Sequence, residues 1–295
     1  MLIGLVVLLV ASILGVYLWA NSVFNRIERV EVSEALSDGS LGTGTNYLIV
    51  GSDSREGVSG EVAGQRSDTI VLLHIGGGGA KILSIPRDLF VPIADTGGSQ
   101  KINAAYNGGP PRLVRTVSQA LDVPIHRYVE VDFLSFAGLV DGLGGVTIDF
   151  PNPAADPKSG LFVPESGPVE LDGEQALAFV RSRTYTEFID GQEVVDPTAD
   201  LGRIKRQQQF LQAVFAKLSD TKNPFALASA FSKSAEGLRI DDAMTMFDAF
   251  RLAWTLRGGF DPQPLELPVD SGRNESGSVL LLREAEAQPI LDQVR

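Results

Sequence analysis

The chain has 295 residues, 44% of them hydrophobic, with no cysteine, two histidines and a formal net charge of −12. That is ample apolar material for a core, in one α/β domain of about 250 residues or in two smaller ones. The absence of cysteine excludes disulfide scaffolds, iron–sulfur sites and thiol catalysis, and the acidic balance argues against nucleic acid as a partner, because displacing counterions needs basic surface.

Leu2 to Ala20 carries no charge over 19 residues, the length of one helical crossing of a bilayer core of about 30 Å. Tyr17 and Trp19 end the run, where amphipathic rings favour the headgroup region. A cleaved signal peptide is the competing reading. It would have a shorter apolar segment and small residues at its end, whereas Tyr17-Leu18-Trp19-Ala20 is bulky. Residues 1–20 are therefore expected to form an uncleaved transmembrane helix. Arg26 and Arg29 follow the run and no basic residue precedes it. Loop charge alone would thus leave the body in the cytoplasm, and a missing cytoplasmic leader would account for that.

Residues 21–44 have the composition of a polar stalk. Residues 46–50 read as a strand and 51–67 as a loop; 69–75 and 81–85 read as a hairpin joined across glycines 76–79. Pro110 opens an amphipathic helix that runs to Leu121. A strand over 127–131, an apolar helix over 133–143 with Asp132 placed to cap it, and a strand over 146–150 follow. The Pro-rich stretch 151–168 reads as a loop, with Asp156 solvated. Asp172 is placed to cap a helix through Val180. Ile204, Leu211, Phe215 and Leu218 mark one face of a further helix, and helical patterns recur at 224–236 and 241–257 before an extended tail. Alternating strands and helices predict an α/β fold: a single α/β/α layered domain with a central mixed sheet, spanning 45–295.

The chemistry-bearing residues cluster at the ends of the apolar runs. Asp53 and Asp68 flank adjacent strand ends, and two carboxylates there suit Mg²⁺, which takes one or two protein carboxylates together with phosphate oxygens. Arg55, Arg66 and Arg87 stand nearby in sequence and suit a diphosphate. Ordinary surface salt bridges are the plainer reading of the same charges. Arg203, Lys205 and Arg206 occupy the first turn of a helix, where the backbone already carries positive charge. A bound anion would relieve that conflict, and Arg203 and Gln207 share a helix face; a solvated basic turn is the alternative. His74 and His126 fall in strand-like runs and read as structural.

Taken in order, GSDSR (51–55), RSDTI (66–70), SIPRDL (84–89), KINAAYNGG (101–109), VDF (131–133), LVDGLGGV (139–146), LDGEQALAFVRSR (171–183) and DLGRIKRQQ (200–208) resemble the LytR–CpsA–Psr family of membrane-anchored cell-wall transferases. The resemblance covers residues 46–218. It implies an extracytoplasmic domain on a single-pass anchor in the cell membrane. It also implies phosphotransfer of a glycopolymer from a polyprenyl-pyrophosphate donor onto peptidoglycan, with Mg²⁺ (or Mn²⁺) and with pyrophosphatase as a side activity. Carried over by position, Asp53 and Asp68 hold the metal. Arg66, Arg87, Lys101, Arg181, Arg183, Arg203 and Gln207 hold the pyrophosphate, with Arg206 beside them. Arg66 and Arg87 also bear on the reacting phosphoryl group, and Asp88, Asp200 or a metal-bound water takes the acceptor proton. The lipid tail is expected in an apolar cavity walled by 113–121, 133–143 and 204–218, with Val214 in the wall. The alternative function is a non-catalytic receptor or regulator that binds the same wall polymer or lipid-linked intermediate.

Overall fold

A computed structural model describes residues 14–39, 44–52, 67–77, 79–197, 200–221, 223–256, 262–274 and 277–295. Residues 14–24 are helical (α1) and lead into β1 (Glu28–Val30). The apolar runs at the start of the body give β2 (Thr45–Ser52), β3 (Ser67–Gly76) and β4 (Gly79–Ile85). A short hairpin, β5 (Phe90–Pro92) and β6 (Ser99–Lys101), leads through a 3₁₀ turn (Ile102–Gly108) to α2 (Pro110–Leu121). Then come β7 (Arg127–Asp132), α3 (Phe133–Gly142), β8 (Val146–Phe150), β9 (Ala154–Asp156), β10 (Leu161–Val163) and β11 (Gly167–Leu171). The chain continues through α4 (Gly173–Arg181), β12 (Thr186–Ile189), β13 (Gln192–Val195), α5 (Asp200–Asp220) and α6 (Pro224–Ser234). It closes with β14 (Leu238–Asp241), α7 (Met246–Leu256), β15 (Gln263–Glu266), β16 (Val269–Asn274), β17 (Gly277–Leu282) and α8 (Glu284–Leu291).

The main sheet has seven strands in the order β1-β14-β7-β2-β3-β4-β15. It is mixed: β1/β14, β7/β2 and β4/β15 pair in parallel, and the remaining neighbours are antiparallel. Side chains alternate across a strand, so each strand feeds two layers. Leu48, Val50, Ile70, Leu72, Leu83 and Ile85 pack beneath α2 and α8. Tyr47, Val71, Leu73 and Ile82 pack against Phe215 of α5 on the other face. A second cluster joins α3, α4 and β8–β11 to Phe210 and Val214 of α5, with the Phe136 and Phe210 rings 4.5 Å apart. Helix α5 thus serves both clusters, which explains why its apolar positions exceed one narrow stripe.

Several expectations change. The stretch 21–44 is not simply a stalk, because β1 is an edge strand of the sheet and Val23, Val30 and Val32 are buried. The Pro-rich stretch 151–168 contains β9 and β10. The tail is built in: β15 extends the sheet, β16 and β17 form a hairpin, and α8 packs on the core despite Pro289. Helices α2 and α5 lie on opposite faces of the sheet, so they cannot wall one cavity. As for the anchor, residues 1–13 lie outside the described residues, and among the described residues no helix is long and apolar enough to cross a membrane.

Two local features explain sequence blocks. In LVDGLGGV, a Cβ on Gly142 would overlap the Ala230 backbone, so the glycine permits α3 and α6 to touch. Gly142→Ala is expected to cost about 1–3 kcal/mol by overpacking, read as a lower urea midpoint. Asn46 is fully enclosed. It donates to the carbonyls of Pro124 (2.7 Å) and Val294 (2.6 Å) and meets His74 Nδ1 at 2.8 Å, while its backbone N–H donates to His126 Nδ1 at 3.0 Å. Both histidines are structural, and burial pushes both pKa values down.

Candidate active site

The register of the sheet places three sequence blocks at one end of neighbouring strands. Ser52 pairs with Ser67, and Ile70 pairs with both Val50 and Ile85. The end of β2, the start of β3 and the Pro86-Arg87-Asp88 turn after β4 therefore emerge side by side. Strand ends of an open α/β sheet are where ligands bind. Asp53 and Arg66 lie outside the described residues, as do the side chains of Asp68 and Asp200.

Arg87, Asp88 and Lys101 come together. Lys101 Nζ lies 2.8 Å from Asp88 Oδ1, and Arg87 Nε lies 3.7 Å from Asp88 Oδ2. These three residues line a cleft of about 330 Å³ with Asn103, Ala104 and Asn107. The hydrogen bonds from Ile102 N–H to the Leu89 carbonyl and from Asn103 N–H to the Arg87 carbonyl bring the 3₁₀ turn to the β4 end. Chemically the cleft offers two cations, one carboxylate and two amides, a set suited to an anionic group that carries a transferable proton nearby. Asn103 and Asn107 had no assigned role in the sequence, although both sit inside the KINAAYNGG block.

A second group forms where α4 ends and α5 begins. Arg181 and Arg183 are exposed, whereas Arg203 and Gln207 are buried on α5. Gln207 Nε2 donates to the Val180 carbonyl at 3.4 Å and ties the two helices. Asp172 caps α4 as expected, accepting from Gln175 N–H at 2.9 Å. Helix α5 also touches β4, the strand that leads into Arg87.

Arg206 is committed elsewhere. Its guanidinium pairs with Asp196 at 2.9 Å, donates to the Ser182 carbonyl at 2.9 Å and lies over the Tyr185 ring at 4.6 Å. It borders a different cleft of about 480 Å³, together with Asp149, Tyr185, Glu187, Asp196 and Lys205. The geometry therefore separates Arg206 from Arg203 and Gln207, although all three share one helical turn.

Asp156 is the main residue that sequence reasoning missed. It is fully buried rather than solvated. Its carboxylate accepts from Ser182 Oγ (2.6 Å), Arg183 N (3.0 Å), Thr184 N (2.9 Å), Thr184 Oγ1 (2.7 Å) and Lys158 N (3.0 Å). Burial alone would raise its pKa, but the hydrogen bonds from Ser182, Thr184 and Lys158 outweigh it and hold the carboxyl well below the usual range. One buried carboxylate thus shapes the backbone that carries Arg181 and Arg183. Four of its five donors sit 26–28 residues downstream, so no local spacing announces them.

The model of the LytR_cpsA_psr family matches residues 13–277. The chain is 31% identical over 309 residues to a probable cell wall biosynthesis protein LcpB of Corynebacterium glutamicum, covering 99% of this chain and 69% of that protein. It is 37% identical over 204 residues to the polyisoprenyl-teichoic acid–peptidoglycan teichoic acid transferase TagU of Oceanobacillus iheyensis, covering 66% of this chain and 56% of that protein. Among solved structures, a LytR-Csp2A-Psr enzyme from Actinomyces oris superposes with a TM-score of 0.76 at 25% identity, covering 91% of this chain and 96% of that one. The chain spans just over half the length of the TagU relative.

Proposed function

Since the chain belongs to the LytR_cpsA_psr family, we propose that it is a membrane-anchored phosphotransferase that moves a glycopolymer from a polyprenyl-pyrophosphate carrier onto peptidoglycan. The observation that carries this reading is the grouping of Arg87, Asp88 and Lys101 in one cleft at the strand ends. Arg181, Arg183 and Arg203 and the name of the TagU relative support it further.

The reaction needs little covalent work from the protein. An acceptor hydroxyl oxygen attacks the phosphorus that bears the glycopolymer, the bond from that phosphorus to the bridging oxygen breaks, and prenyl monophosphate leaves. Positioning and charge neutralisation supply most of the rate. Arg66, Arg87, Lys101, Arg181, Arg183, Arg203 and Gln207 hold the pyrophosphate in this reading. Asp88 or Asp200 takes the acceptor proton, and Asp88 already stands in the cleft with its carboxylate steered by Lys101. Asp53 and Asp68 would hold Mg²⁺ or Mn²⁺. The fit rests on the Ser52–Ser67 pairing, which brings the β2 exit and the β3 entry together, and on carboxylates being hard oxygen donors. When bound, the ion would neutralise pyrophosphate charge. The apolar run that ends at Ala20 would anchor the chain, with the body outside the cytoplasm.

The full chain in proteoliposomes, supplied with a lipid-linked glycopolymer and peptidoglycan, tests the reading. Phosphodiester-linked polymer should appear on released muropeptides by mass spectrometry. Arg87→Ala and Lys101→Ala should each lower the rate by about 10²-fold. In the same preparations Asp68→Asn should weaken Mn²⁺ binding read by electron paramagnetic resonance. Transfer that persists at full rate in the Arg87 and Lys101 variants overturns the site, and unchanged Mn²⁺ binding overturns the metal assignment.

A further inference from the structure

The surface at the foot of α1 carries exposed aromatic residues that no part of the proposed transferase site uses. Helix α1 leaves the body abruptly. Leu14, Val16, Tyr17, Leu18 and Trp19 are exposed, Trp19 by 44%, while Val23 is buried and Phe24 and Ile27 pack against the sheet. The foot is fixed. Arg29 lies over the Phe24 ring at 4.4 Å and donates to the Met244 carbonyl at 2.6 Å, and Arg26 donates to Ser232 at 3.1 Å. Met244 lies two residues before α7, and Leu252 of α7 packs in the same cluster as Phe24 and Ile27. Helix α7 therefore stands beside the foot of α1, and it presents Phe247 and Phe250, 69% and 61% exposed, to the outside.

Distance decides what faces them. At a rise of about 1.5 Å per residue, Trp19 lies only about 6 Å along the helix from Val23. The headgroup layer on each side of a bilayer is about 5–8 Å thick. With Tyr17 and Trp19 at the interface, where such rings settle, the body surface around Val23 lies within that layer. Exposed Phe pairs at i, i+3 share one helix face, and beside the exposed Leu14–Trp19 run they extend one apolar surface, the kind that meets a partner or a membrane. Charge fits the same partner. Arg26, Arg251 and Lys233 are exposed around the foot, while Asp248 and Glu28 are ion-paired with Arg127 and Arg239 and Asp242 accepts from Ser33.

We infer that α7 is a second membrane contact: Phe247 and Phe250 insert at the headgroup–acyl boundary of the anionic bilayer that receives α1, and the contact restrains the body from swinging about its anchor. This rests on the reading of α1 as the end of a membrane anchor.

The chain has no cysteine, so single cysteines at Leu18, Phe247, Phe250 and Phe162 can each carry a nitroxide. Phe162 is 68% exposed on β10, outside the α1–α7 cluster, and serves as the aqueous control. The full chain is reconstituted in vesicles of phosphatidylcholine and phosphatidylglycerol. Collision of each label with oxygen is compared with its collision with a water-soluble nickel chelate. The labels at Phe247 and Phe250 should shift towards the oxygen-rich, nickel-poor ratio of the Leu18 label and away from Phe162. If Leu18 reads as membrane while Phe247 and Phe250 read like Phe162, the inference is overturned and the anchor stands. If Leu18 also reads as water, the anchor reading fails first and takes the inference with it. Shielding of Phe247 and Phe250 from both reagents means another copy of the chain covers α7, which overturns the inference too.

Discussion

Asp156→Ala should be among the most damaging single substitutions in the protein, lowering unfolding free energy by about 3–5 kcal/mol in urea titrations. The carboxylate is fully buried and satisfies two hydroxyls and three backbone N–H groups. Deleting it strands five donors where water does not readily replace it, and unsatisfied buried groups cost far more than a made bond contributes. Ser182→Ala and Thr184→Val each remove one donor and leave the acceptor partly served, so each should cost about 1 kcal/mol. The acid dependence follows from the same hydrogen bonds. The folded carboxyl titrates below its unfolded value of about 3.9, so its contribution is complete above that pH and declines as pH falls further toward the folded pKa. Asp156→Asn should flatten that part of the stability profile. A variant that keeps the wild-type slope between about pH 4 and pH 2 would assign the acid loss to other carboxylates. The folded fraction of Asp156→Ala should also transfer polymer slowly, because the segment that aims Arg181 and Arg183 has lost its template.

How much of this was legible depends on whether a feature is local. The β3–β4 hairpin was written in TIVLLHI and KILSI with glycines between them, and the pairing runs to Gly76 opposite Gly79. The Asp172 cap and the amphipathic α5 were equally local. Strands β9 and β10 have three residues each and lie in a Pro-rich stretch, too short for a period to declare itself. β15 contains Pro264 yet pairs in parallel with β4, an edge position that proline tolerates. The β12–β13 hairpin carries a local signal of its own, Asp190-Gly191, with φ of 51° and 79°. In the site, Arg87, Asp88 and Lys101 were legible as charged residues after apolar runs, but their meeting needed the 3₁₀ turn to fold back on the β4 end. Asp156 was illegible because every partner except Lys158 comes from the distant 182–184 segment.

Arg206 and Arg183 offer the sharpest separation of architecture from ligand binding, since the family resemblance puts one in the pyrophosphate set and the other beside it. Arg206 is buried and holds Asp196, the Ser182 carbonyl and the Tyr185 ring at once. Arg206→Ala should cost about 2–4 kcal/mol of stability, because a half-buried carboxylate and a buried carbonyl each lose a charged donor. Arg206→Lys should recover little, because an ammonium cannot span two acceptors and stack on a ring as the planar guanidinium does. Arg183 has an exposed side chain, and its part in the Asp156 cage is played by its backbone N–H, which alanine retains. Arg183→Ala should therefore shift stability by less than about 0.5 kcal/mol while lowering the transfer rate by about 10²–10³-fold if it meets developing phosphoryl charge. Urea titration and transfer assays on the two variants should give opposite rankings. Equal rankings in both assays would mean that Arg183 also supports the fold. Loss of transfer without loss of stability in Arg206→Ala would mean that the Asp196–Arg206–Tyr185 cleft, rather than the Arg87 cleft alone, receives part of the substrate.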